Sequence, residues 1–116
     1  MKKLLSWVLV FGWMGVIYWL SDQSQLIPST NPLLAQTIAA LGHVIFFGIL
    51  YILFTHAIKA SYKINPITLF KMGIVFILLY GLSDEYHQSF VPGRDANILD
   101  VGLDLVGSVL ASRFKA

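Results

Sequence analysis

The sequence predicts an all-α polytopic membrane protein, a bundle of four transmembrane helices forming a single domain over residues 1–116. Three observations predict it. Hydrophobic residues make up 57% of the chain and charged residues 12%, against about a quarter charged in soluble domains. Mean hydropathy is +0.74. The apolar residues also fall into four runs separated by polar, proline-bearing breaks, and at 1.5 Å rise and about 20 residues per crossing the chain has room for about four spans with short loops. A large soluble catalytic domain is excluded. The absence of cysteine removes disulfides, thiolate nucleophiles and cysteine-based zinc sites.

The first helix is expected at about 4–20. Its start, Met1-Lys2-Lys3 before an apolar run, is shared with signal peptides. However, Trp7, Trp13, Tyr18 and Trp19 and the exit Ser21-Asp22-Gln23, with no small-x-small cleavage signal, suit a retained span anchored at both interfaces. Asn31-Pro32 is an N-cap followed by a proline at the first helical position, so the second helix is expected at 32–58. Asn65-Pro66 repeats the signal and opens the third, expected at 66–90, until Pro92-Gly93 forces a turn. Asp95 or Asn97 can cap the fourth, expected at 96–112.

Orientation follows from the basic residues. Lys2, Lys3, Lys59, Lys63, Lys71, Arg113 and Lys115 fall on one side of a four-span arrangement and Arg94 alone on the other, a strong positive-inside bias. Both termini are expected in the cytoplasm. The acids sort the opposite way: Asp22, Asp84, Glu85, Asp95, Asp100 and Asp104 all lie in the outer loops or outer parts of the helices.

Charged groups within a span cost about 2.5 to 3.5 kcal/mol each, so they face a bundle interior or a wet cavity and pair there. At 100° per residue Asn97, Asp100, Asp104, Ser108 and Ser112 share one arc of the fourth helix, and Tyr80, Asp84, His87 and Gln88 form a stripe on the third, with Glu85 beside it. His43 stands at a comparable depth on the second helix. These spacings predict one outward-facing polar pocket. Its candidate acid, base or binding groups are Asp84, Glu85, His87 and His43, and its candidate ligand-binding groups are Gln23, Gln88, Arg94, Asp100 and Asp104. Arg94 suits either of two roles equally, pairing with Glu85 or Asp95, or holding an anionic head group bidentately. A divalent metal at the carboxylates is an open option, with Asp84 and His87 at ligand-compatible spacing. Each group also has a plainer reading: His43 as a hydrogen-bonded packing residue, Asp84 to His87 as a wet helix end, Asp95 as a cap, and His56 as a snorkelling interfacial side chain. Glycine pairs Gly12 with Gly15, Gly42 with Gly48 and Gly102 with Gly107 are expected to let helices approach closely, and Gly81 to admit a neighbour near the Asp84 face.

The run Ser83-Asp84-Glu85-Tyr86-His87-Gln88-Ser89-Phe90-Val91-Pro92-Gly93-Arg94, followed by Asp100, Asp104 and Gly107, closely resembles the VanZ-like family of bacterial membrane proteins. The exit Tyr18-Trp19-Leu20-Ser21-Asp22-Gln23 and the lone histidine His43 of the second helix extend the likeness over essentially the whole chain. The resemblance implies a small bundle in the bacterial plasma membrane, with a founding member associated with resistance to the glycopeptide teicoplanin and relatives near cell-envelope functions. It brings a phenotype more than a reaction. Asp22 stands where the family commonly has a second serine, Ala39 and Ala40 where a basic residue is frequent, and Asp104 where asparagine is frequent. This version of the pocket is more acidic, which favours a bound cation or raised carboxylate pKa values.

The expected function is therefore binding or modification, at the cell envelope, of a lipid-linked component or an amphiphilic antibiotic, with the choice between binding and hydrolysis open. Membrane lipids are expected partners, a homo-oligomer is open, and the scattered basic residues offer no nucleic-acid patch. A small proton-coupled exporter is disfavoured, because the first helix has no acid within its span and the basic bias selects one orientation. A purely structural subunit is disfavoured because polar contacts between membrane helices average below 1 kcal/mol, making six acids costly glue.

Overall fold

Asparagine caps set where the helices begin. The computed structural model describes residues 2–22, 31–93 and 96–114, in which four helices and no strands occur: α1 Lys2–Ser21, α2 Pro32–Ser61, α3 Pro66–Gln88 and α4 Ile98–Ala111. The Asn31 side chain accepts from the N–H groups of Leu33 and Leu34 at 3.1 and 3.2 Å. Asn65 accepts from Thr68 at 2.8 Å and Asn97 from Leu99 at 3.0 Å. Each satisfies donors that a first turn leaves open. Asn97 is the cap of α4; Asp95, the other candidate, lies outside the described residues. At the end of α3 the ladder tightens, with Ser89, Phe90 and Val91 donating to Tyr86, His87 and Gln88 three residues back. The helix therefore stops at Gln88, two residues before the expected 90. Gly93 then takes φ 83°, the left-handed backbone that the Pro92-Gly93 turn requires.

Helices α1, α2 and α3 are long and apolar enough to cross a membrane. With 14 residues, α4 extends about 21 Å, less than the hydrocarbon thickness of about 30 Å. The described chain measures 48 × 24 × 20 Å. Its outward faces carry Leu5, Val8, Leu9, Phe11, Leu41, Ile45, Val75 and Leu79, all exposed, as lipid-facing surfaces do.

The most extensive packing is between α2 and α4, followed by α1 on α2 and α3 on α4. Val10, Ile17, Phe47, Leu50, Tyr51, Ala57, Ile77 and Ala111 form the apolar core. Gly48 and Gly107 bring α2 and α4 together. A Cβ on Gly48 would stand 3.1 Å from the Gly107 carbonyl oxygen, and one on Gly107 would run into the Val44 carbonyl. At the other expected contact glycines, Gly12, Gly15, Gly42 and Gly102, an added Cβ would meet nothing within 4 Å; small size alone does not place a residue at a crossing. Side-chain hydrogen bonds that hold α1 include Trp7 Nε1 to Ser61 Oγ at 2.8 Å, Trp13 Nε1 to the Phe46 carbonyl at 2.9 Å, and Tyr80 OH to the Met14 carbonyl at 2.6 Å.

The buried face of α4 is Val101, Asp104, Gly107, Ser108 and Ala111. The expected polar arc meets it at Asp104 and Ser108, while Asn97 and Ser112 are exposed and Asp100 is partly so. Gly107 and Ala111 lie against Gly48 of α2, so the buried side combines this close packing with the fully buried Asp104 and Ser108.

Candidate functional site

At the end of the bundle where α1 finishes and α4 begins, the polar groups of four helices meet. Asp104 is the centre. It is fully buried, and it lies over Gly81, where a Cβ would stand 2.8 Å from its Oδ2. Its Oδ1 is 2.7 Å from Nδ1 of His43. An ionised Asp104 carboxylate only accepts, so Nδ1 donates to it, and whenever the ring is neutral its lone pair is on Nε2. That nitrogen faces Asp100, with Oδ2 3.6 Å away. Phe47, one turn along α2, stacks on the His43 ring with 11° between planes. The Asp104 carbonyl also accepts from Ser108 Oγ at 3.0 Å.

Asp84 and Glu85 approach from α3, both buried. Adjacent residues on a helix diverge by about 100°. Both still face inward here because α1 closes over one side and the start of α4 over the other. Ser21, buried at the end of α1, donates its hydroxyl to Asp84 Oδ1. Glu85 Oε2 accepts the backbone N–H of Asn97 at 2.8 Å. The other Glu85 oxygen, Oε1, is buried without a hydrogen-bond partner among the described residues, as is Asp104 Oδ2. One ligand atom from each of His43, Asp84 and Glu85 lies within 4.8 Å of the others, close enough to hold a metal ion.

The remaining expected residues divide. Gln88 is buried on the same face of α3 as Asp84 and Glu85. His87 turns away. Its ring stacks on Tyr18 with centroids 4.4 Å apart, and its Nε2 lies 3.1 Å from Asp22 Oδ1. The described metal-compatible grouping therefore pairs Asp84 with His43 and Glu85 and leaves out His87, the partner that helical spacing suggested. Gln23 and Arg94 lie outside the described residues. Ser21 and Asp22 are not among the expected site groups; the signals for them are their place in the polar exit of the first helix and that exit's part in the family resemblance.

The sequence model of the VanZ/LLP1 family matches residues 4–113, nearly the whole chain. The chain belongs to the VanZ/LLP1 family. No curated protein and no solved structure matches it. The matched range takes in every residue of the cluster, so in this VanZ/LLP1 chain Ser21, His43, Asp84, Glu85, Asp100 and Asp104 are part of the family domain itself.

Proposed function

We propose that this VanZ/LLP1 protein is a multi-pass plasma-membrane protein, with both termini cytoplasmic, whose polar cluster opens toward the outer face and binds or modifies an envelope component presented from the bilayer. A lipid-linked precursor or an amphiphilic glycopeptide has the right chemistry, a polar head on an apolar anchor. The observation that carries the reading is the cluster of His43, Asp84, Glu85 and Asp104 inside an otherwise apolar bundle. Each charge in a span costs a few kcal/mol, and such residues mark sites that act on something. The basic residues support the orientation, since the described ones lie at the start of α1, the α2–α3 connection, the first turns of α3 and the end of α4, opposite the cluster.

Teicoplanin and vancomycin susceptibility of cells producing wild type or Asp84→Asn tests this. Wild type is expected to shift teicoplanin susceptibility, and Asp84→Asn to lose the shift at equal membrane level and equal melting temperature. An equally active folded variant, or an inert wild type, overturns the reading.

A further inference from the structure

We propose that His43, Asp84 and Glu85 bind one divalent transition-metal cation of the Zn2+ or Mn2+ class, with Asp104 orienting the histidine and Asp100 beside it. This deepens the functional reading above and rests on the buried cluster being the working site.

The donors themselves make the case. One imidazole nitrogen and two carboxylate oxygens lie within 4.8 Å of one another, a separation that small side-chain rotations close onto metal–ligand bonds of about 2.0 to 2.2 Å. Mixed imidazole and carboxylate donors suit Zn2+ and Mn2+. The histidine is prepared for the task. Asp104 Oδ1 sits 2.7 Å from Nδ1 and leaves Nε2 as the lone-pair nitrogen, the carboxylate–histidine arrangement that fixes the tautomer of metal-binding imidazoles.

An independent observation points to a ligand. Glu85 is 7% exposed, and with Oε2 held by the Asn97 N–H its remaining oxygen, Oε1, is buried with no hydrogen-bond partner among the described residues. A buried acceptor-only atom beside other carboxylates is unfavourable unless a positive group meets it. A 2+ ion offsets two carboxylate charges at once. Access is from the Asp100 side, where the His43 and Asp100 side chains retain 12% and 26% of their exposure.

The test uses the full chain in detergent, stripped with chelator, with Zn2+ as the probe. Bound Zn2+ is measured after dialysis, and the ligands are read by X-ray absorption at the zinc edge. Wild type is expected to retain one equivalent with a single imidazole in its shell. Glu85→Gln and His43→Gln are each expected to bind at least tenfold more weakly, and His56→Gln, on the other half of α2, to bind as wild type does. Asp104→Asn is expected to keep the stoichiometry and weaken binding by roughly 10–100-fold, the range seen when the partner of a ligating histidine is changed. Metal-free Glu85→Gln should melt no lower than metal-free wild type, since one buried charge is removed, so loss of binding is read on a folded protein.

Less than a tenth of an equivalent on folded wild type, unchanged binding in Glu85→Gln, or a zinc shell without imidazole overturns the site. Zinc binding without a susceptibility shift supports the cation site and overturns the envelope role; a susceptibility shift without zinc binding does the reverse.

Discussion

Asp104 and Gly81 show how one side chain is positioned by the lack of another. The Asp104 carboxylate occupies the space over Gly81 that a methyl group would take, and from there reaches His43. Gly81→Ala is therefore expected to move the carboxylate rather than the helix, because the atom in the way is the end of a side chain. The check is 15N NMR of histidine-labelled protein. Wild type should show His43 protonated at Nδ1 and unprotonated at Nε2, and Gly81→Ala should lose or shift the Nδ1–H signal while the melting temperature falls by only a few degrees. Helical spacing made Asp84, Glu85, His43, Asp100 and Asp104 legible as site candidates. It did not say which neighbours His87 meets, because residues three apart on a helix are offset by about 60°. Asp84 meets Ser21 across that angle, while His87 rotates onto Tyr18 and Asp22.

At the scale of helices, the α2–α4 crossing decides which face of α4 is buried. Its contact runs through Gly48 and Gly107, with backbone carbonyls where methyl groups would stand. Backbone cannot swing aside as a side chain does. Gly107→Ala is therefore expected to destabilise the bundle by about 1 to 3 kcal/mol through overpacking, measured by unfolding in detergent. Gly102→Ala, with nothing within 4 Å, should be neutral or slightly stabilising because alanine is the better helix former. The helix starts were legible because Asn31-Pro32, Asn65-Pro66 and Asn97 act locally through their own first turns. The ends were less so. Where α3 stops depends on a 3₁₀-like tightening over Ser89 to Val91 that leaves no composition signal.

For the whole molecule, the described basic residues and the cluster lie at opposite ends, which makes the topology directly measurable. The chain has no cysteine, so single cysteines report without background. Ser24→Cys, between α1 and α2, is expected to react with a membrane-impermeant maleimide on intact cells. Lys63→Cys, between α2 and α3, is expected to react only after lysis. The reverse pattern would invert the orientation and turn the cluster toward the cytoplasm.

The sequence by itself determined the helical class, four helices, the capped helix starts and the family, because composition, caps and a contiguous motif act over neighbouring residues; it expected all four to cross the membrane, whereas three of the described helices are long and apolar enough to do so. Only the tertiary structure decided that His43 meets Asp104 rather than His87 meeting Asp84, and that Glu85 keeps one oxygen buried with no partner among the described residues. The physical reason is that helix rotation about its own axis is set by contacts between residues far apart in the chain. Gly107 against Val44 and Gly81 beneath Asp104 turn each helix by angles that period alone leaves free.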